Sequence, residues 1–326
     1  METSAAAQRI PVTVLTGFLG AGKTTLLNRI LSEIADRQFG IIVNEFGDIG
    51  IDRDLIETGD EELIELNSGC ICCVIRGDLI RTIRSLLAEN PNLDGIIIET
   101  TGLANPSPVI QTMVIDQVIG AQCWLDSVLC VVDAAHILEQ LEKSEDAADQ
   151  IAFSDHVVLN KVNDASVAIE DIEARLRKIN PFAPITRTNR SNVPASSVLD
   201  QRNFDLNRIE DQLPPELDEP GHHSHIDRNG ITSIALTCDT PLDADKLEEW
   251  LRDLLSRRGI DILRTKGVMS IKNEDKKLIL QAVNMMIEGD FASNWNNEPR
   301  QSRLVFVGRN LNLDELRNGF LSCRPA

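Results

Sequence analysis

Gly17-Phe18-Leu19-Gly20-Ala21-Gly22-Lys23-Thr24 sets the fold class of this chain. It matches G-x-x-x-x-G-K-[ST] in full, after an apolar run at 12–16 and at the start of an amphipathic run over 23–35. That strand, loop and helix context is what phosphate binding requires. Glycines let successive backbone N–H groups converge on phosphate oxygens, and the helix N-terminus adds positive potential. Gly17, Gly20, Ala21, Gly22, Lys23, Thr24 and Thr25 are therefore the expected nucleotide cradle. Lys23 would reach the β and γ oxygens, and the Thr24 hydroxyl would coordinate Mg²⁺. A dinucleotide fold is excluded, because the glycines are not spaced G-x-G-x-x-G.

Working outward, the runs 40–44, 95–99, 128–133, 156–160 and 184–188 are of strand length and rich in Ile and Val. Helical periodicity over 77–89 and 165–179 separates some of them. Continuous apolar runs of this kind are buried on both faces, which implies a doubly wound, mostly parallel sheet covered by helices. Pro214, Pro215 and Pro220 then interrupt regular structure in a stretch of Glu, Asp and His. Beyond it, expected strands at 231–237, 267–271, 277–284 and 302–308 and helices at 243–257 and 314–321 make a smaller α+β domain. The reading is a P-loop domain over 1–213, a linker over 214–228 and a C-terminal domain over 229–326. Two domains suit 326 residues at about 150 residues each.

Composition narrows the partners. Lys plus Arg number 32 against 51 Asp plus Glu, a formal charge of −19, and that field repels a phosphate backbone. With 4% aromatic residues and no Tyr, there is no stacking platform, so nucleic acid is not expected. No run approaches the roughly 18 apolar residues of a membrane span, and the start has neither the basic nor the apolar region of a secretory leader. A cytoplasmic location is the expectation, with no membrane partner.

The run 96–98 ends in Glu99-Thr100-Thr101-Gly102. Glu99 at a strand's C-terminal end can hold Mg²⁺ through water, and Gly102 can offer its N–H to the γ-phosphate without a Cβ in the way. Farther on, Asn160-Lys161-Val162-Asn163 has the form of a base-selecting motif that usually ends in Asp. An Asn at 163 accepts one bond and turns a donor toward the other, a buried mismatch of about 1–3 kcal/mol against guanine. A base with a carbonyl at that position, such as xanthine, is less disfavoured, unless Asp164 substitutes through a local shift.

Three of the seven cysteines sit together, at Cys70, Cys72 and Cys73. Thiolates on a tight loop are soft donors for Zn²⁺, and also take Cu(I), Co²⁺ and Ni²⁺; redox exchange is the alternative. His222, His223 and His225 in the linker form a weaker accessory metal site. Cys123, Cys130, Cys238 and Cys323 have no partner in spacing and read as packing residues, and His136 and His156 as structural.

The P-loop, Asn44-Glu45-Phe46-Gly47-Asp48-Ile49-Gly50, Gly69-Cys70-Ile71-Cys72-Cys73, Glu99-Thr100-Thr101-Gly102 and Asn160-Lys161 together resemble the CobW family of P-loop GTPases. Arg264-Thr265-Lys266-Gly267 and Ser302-Arg303-Leu304-Val305-Phe306 are similar to that family's C-terminal domain. The resemblance implies GTP hydrolysis coupled to delivery of a divalent metal to a client protein. Zinc is preferred, with cobalt for cobalamin synthesis, or storage and sensing of metal, as alternatives. It implies GTP or GDP with Mg²⁺ and a metalloprotein client as partners; a homodimer is a further candidate. Glu45 belongs to an expected switch segment, and Asp48 is a further candidate metal ligand; the acid some members carry before the Asn is Val43 here. No Gln stands in the switch segment to position water, so intrinsic turnover should be slow.

Overall fold

The computed structural model describes residues 9–45, 63–67, 72–213, 230–296 and 298–325. Asp48, Cys70 and the three linker histidines lie outside these residues. The chain divides into two compact units. The first holds residues up to 137 with 154–169 and 184–202; the second holds 138–153, 170–183 and 203 onward. The expected boundary after residue 213 follows sequence order, whereas packing assigns three earlier segments to the second unit.

In the first unit, β1 (Ile10–Gly17), β2 (Phe39–Glu45), β3 (Leu63–Asn67), β4 (Gly95–Glu99), β5 (Cys123–Asp133), β6 (His156–Asn160) and β7 (Ile185–Arg187) form one sheet in the order β3-β2-β4-β1-β5-β6-β7. Every neighbouring pair is parallel. The C-terminal ends of all seven strands therefore share one edge, where ligands bind in sheets of this kind. Helix α1 (Lys23–Glu33) buries Leu26, Leu27, Ile30 and Leu31 against Leu15, Ile41, Ile97, Val131 and Val158 of the strands. Helix α2 (Cys72–Glu89) begins five residues before the expected start at 77, so Cys72 and Cys73 are its first residues and not part of a loop. The helix runs straight through Gly77, a residue type that ordinarily weakens a helix interior and so suggests a boundary in the sequence.

Sequence periodicity missed β3 and five helices: α3 (Ser107–Ile115), α4 (Gln117–Gln122), α5 (Ile137–Lys143), α6 (Glu145–Phe153) and the short α8 (Ile209–Gln212). Helix α7 (Ile169–Ile179) starts four residues later than expected, after a short 3₁₀ turn at Val162–Asp164.

The second unit is built on an antiparallel sheet of β8 (Ile231–Cys238), β9 (Ile262–Ser270), β10 (Lys276–Val283), β11 (Met286–Asn294) and β12 (Ser302–Arg309), in the order β11-β10-β9-β12-β8. One face packs on Leu247, Leu251, Leu254 and Leu255 of α9 (Ala244–Arg258) and on Leu316 and Phe320 of α10 (Leu313–Ser322). Asp243 caps α9 as expected, accepting from the Lys246 N–H. Strand β9 starts at Ile262, not 267, because Arg264 and Lys266 interrupt the apolar run yet are buried. The Arg264 guanidinium donates to the Phe153 carbonyl at 2.9 Å and stacks 5.1 Å from the Phe204 ring centroid, while Lys266 donates to Gln212. Buried cations need partners of this kind, and these partners lie in the early segments that pack with the C-terminal sheet.

The two histidines expected to be structural differ in kind. His136 is largely exposed. His156 is buried, and its Nε2 pairs with the Thr186 hydroxyl at 2.8 Å. Burial pushes the His156 imidazole below its ordinary 6.5, against a smaller upward pull from Asp155. With the folded value lowered, the unfolded chain takes up the proton first, so stability is lost as pH falls below about 6.5. Urea unfolding between pH 7.5 and 5.5 should show this loss, and His156→Gln should reduce it. An equal pH slope in both proteins would overturn the assignment. Cys123, Cys130, Cys238 and Cys323 are all buried free thiols, with burial raising Cys123 and Cys130 to about 12.

Candidate nucleotide and metal site

The cradle begins where β1 ends. Gly22 precedes α1 with φ +109°, in the left-handed region, and no side chain caps the helix. The first-turn N–H groups are thus left to an anion at the helix start, which is the electrostatic basis of phosphate binding. A Cβ on Gly22 would stand 2.5 Å from the Asn160 amide nitrogen, so glycine is required for both conformation and space. Lys23 opens α1 with its ammonium 3.4 Å from the Phe18 carbonyl.

Behind the cradle, the Thr24 hydroxyl donates to Glu99 Oε1 at 3.1 Å. Glu99 ends β4 and is 5% exposed, so a hydroxyl and a buried carboxylate converge as hard oxygen donors. Such a donor set fits Mg²⁺, which takes one or two protein oxygens beside phosphate and water. The segment after β4 is held to β1 by the Thr100 N–H on the Leu15 carbonyl at 2.9 Å and by the Thr100 and Thr16 hydroxyls, 3.0 Å apart. Gly102 lies so close to the P-loop that a Cβ there would be 2.6 Å from the Leu19 nitrogen. The γ-phosphate sensor expected from the sequence therefore abuts the cradle through backbone.

On the other side, Asn160 is 2% exposed and faces the P-loop. Its amide donates to the Ala21 carbonyl at 2.9 Å and the Ser191 hydroxyl at 3.1 Å, and its Oδ1 accepts from the Ser191 N–H at 2.9 Å. The Ser191 hydroxyl in turn donates to the Gly22 carbonyl at 3.0 Å. Asn160 is a brace between two loops. Lys161, in a left-handed conformation at φ 58°, donates to the Gly20 carbonyl and to Asp133 Oδ2, each at 2.8 Å. Burial alone drives the Asp133 carboxyl up, but hydrogen bonds from Lys161, His136 and the Ala135 N–H outweigh it and hold it below the usual carboxylate range. Asn163 is exposed, with its N–H on Asn189 Oδ1 at 3.0 Å.

Sequence reasoning missed Ser191, Asn189 and Asp133. Only topology could have found them: Asp133 ends β5 opposite Asn160, and Ser191 follows β7 at the same sheet edge. Left-handed Arg190 and Ser191, at φ 52° and 50°, turn that loop back toward the cradle.

For the metal, the backbone alone speaks. Glu45 ends β2 in register with Asn67 at the end of β3, and Val43 pairs with Glu99. Cys70 lies three residues after Asn67, and Cys72 and Cys73 open α2. Among the described residues, no group of three or more His, Cys, Asp or Glu is arranged to hold a metal. Nor is any described helix long and apolar enough to cross a membrane.

The CobW/HypB/UreG nucleotide-binding domain model matches residues 11–187, and the cobalamin synthesis protein CobW C-terminal domain matches 231–324. The zinc chaperone YjiA of Escherichia coli is 33% identical over 319 residues, covering 97% of this chain and 99% of that protein. The zinc chaperone CobW of Pseudomonas aeruginosa is 32% identical over 350 residues, covering 95% and 90%. The crystal structure of Zn(II)-bound YjiA GTPase from Escherichia coli aligns with a TM-score of 0.81 at 31% identity, covering 98% of this chain and all of that one. A P-loop braced by Asn160 and Lys161, on a parallel sheet followed by this C-terminal sheet, identifies the chain as a member of the CobW/HypB/UreG family.

Proposed function

We propose that the chain hydrolyses GTP and carries a divalent metal, zinc in the first place, which it delivers to a client metalloprotein under nucleotide control. The observation that carries this reading is the shared edge of β2, β3 and β4. Asn67 ends β3 in register with Glu45 of β2, the strand that pairs with Glu99, and Cys70 follows Asn67 by three residues in the sequence. A change at the γ-phosphate therefore needs to travel only a short stretch of chain to reach the cysteines. The names of the relatives, zinc chaperone and GTPase, point the same way.

In this mechanism the P-loop N–H groups and Lys23 bind and orient the β and γ phosphates. The Thr24 hydroxyl and the Glu99 carboxylate would hold Mg²⁺. The ion, when bound, neutralises charge on the phosphate oxygens and polarises the γ-phosphoryl group. Gly102 senses the γ-phosphate through its N–H, and Glu45 belongs to the switch that follows it. Cys70, Cys72 and Cys73 hold the transferred ion as substrate, with Asp48 as a further ligand and His222, His223 and His225 as a loose capture site. The linker at 214–228 joins nucleotide and C-terminal domains, and the protein works in the cytoplasm, as a homodimer.

The test is GTP turnover by the purified, reduced chain with Mg²⁺, compared with Lys23→Ala. Turnover that disappears in the variant supports the reading. Turnover that is absent from the wild type, or unchanged in the variant, overturns it.

A further inference from the structure

Each residue from Asn160 to Asp164 is held in register by its own bond. Asn160 donates to Ala21, and Lys161 to Gly20 and Asp133. The Val162 N–H reaches the Thr188 carbonyl at 3.3 Å, the Asn163 N–H reaches Asn189 Oδ1 at 3.0 Å, and the Asp164 N–H closes a 3₁₀ turn on the Lys161 carbonyl at 3.0 Å. Moving Asp164 into the position of Asn163 would break this whole ladder. A three-residue-per-turn helix also directs neighbouring side chains about 120° apart, so the two residues cannot serve one direction. The residue three beyond Asn160 is therefore an amide, with no carboxylate able to replace it by a local slip.

The chemistry of that position decides which base it reads. A carboxylate offers two acceptors, matching the N1–H and 2-amino donors of guanine. An amide offers one acceptor and one donor. Against guanine, Oδ1 accepts from N1–H and the NH₂ group meets another donor. Against hypoxanthine the conflict vanishes, because C2 carries only hydrogen. Against xanthine the 2-carbonyl accepts from the NH₂ group, and both contacts are satisfied. An unpaired polar group at such a contact is discriminated against more strongly than a missing apolar one.

We infer that Asn163 sets the base preference of this chain toward 6-oxopurine nucleotides that carry an acceptor or hydrogen at C2, at the expense of guanine. This rests on the GTPase reading and deepens it: guanine nucleotides bind, but with one donor unmatched. Because Asn163 is exposed, its replacement leaves the fold intact.

The experiment is displacement of a fluorescent N-methylanthraniloyl purine diphosphate by GDP, IDP and XDP, with Mg²⁺, from the full chain, Asn163→Asp and Asp164→Asn. XDP should compete with the wild type at least as well as GDP. Asn163→Asp should shift the ratio toward GDP by about tenfold or more, and Asp164→Asn should leave it within about twofold of wild type. A wild-type preference for GDP over XDP of about tenfold, or a ratio that moves with Asp164→Asn instead, overturns the inference while the GTPase reading stands. Failure of all three diphosphates to bind sinks both.

Discussion

Replacing Lys23 with Ala is expected to lower single-turnover phosphate release from GTP by about 10²–10³-fold, the usual cost of losing one fixed donor to developing charge. The ammonium sits at the N-terminus of α1, where the uncapped N–H groups and the helix dipole already favour anions. Its nitrogen lies 3.4 Å from the Phe18 carbonyl inside the loop, so its position relative to the phosphates is preset. Phosphoryl transfer leaves little covalent work to the protein, and catalysis depends on such preset charge. Lys23 is buried, so thermal melting of the variant is measured alongside to separate lost charge from lost packing. Release within threefold of wild type would remove Lys23 from the mechanism.

Asn160→Ala should damage stability and nucleotide binding together. Three side-chain bonds are lost at a site 2% exposed, and the Ser191 N–H and Ala21 carbonyl lose their partner. At about 1–3 kcal/mol for each of the two buried groups left unsatisfied, the urea-derived stability should fall by roughly 2–6 kcal/mol. The cradle and the loop at 188–193 would no longer be tied, so GDP affinity should drop at least about tenfold as well. Asn160→Asp is the sharper control. It keeps an acceptor for Ser191 N–H but turns a carboxylate toward the Ala21 carbonyl, and should be no better than Ala. A variant within about 0.5 kcal/mol of wild type would show that the brace is dispensable.

These two residues mark how far the sequence could be read. The position of Lys23 at the start of α1 was legible because it follows from local sequence, a glycine loop between strand and helix. The strands at Gly95–Glu99 and His156–Asn160 were legible to the residue, being short apolar runs buried throughout. The brace was legible only as a motif, since its partners Ser191 and Asp133 come from strands distant in sequence. Strand β3 carries Glu65 and follows Asp60-Glu61-Glu62, so no clean apolar run announces it, yet it leads to the cysteines. Helix α6 is buried from Ala147 to Phe153 and so lacks the polar face that helical periodicity needs. Strand β11 is mostly exposed at a sheet edge, and its Glu288-Gly289-Asp290 reads as a turn. Arg264 and Lys266 hide β9 for the opposite reason: they are polar in sequence and buried in the fold.

In the proposed mechanism one edge of the sheet links nucleotide state to metal affinity. Zinc affinity, measured by competition with a chromophoric chelator on reduced protein, reads that link. It should be compared with GDP and with a non-hydrolysable GTP analogue, in wild type and in a Cys70, Cys72 and Cys73 to Ser variant. Coupling free energies of about 1–3 kcal/mol predict that the GTP analogue tightens zinc binding by roughly 5 to 150-fold, and that the serine variant abolishes the change. Equal zinc affinity in both nucleotide states would contradict the account.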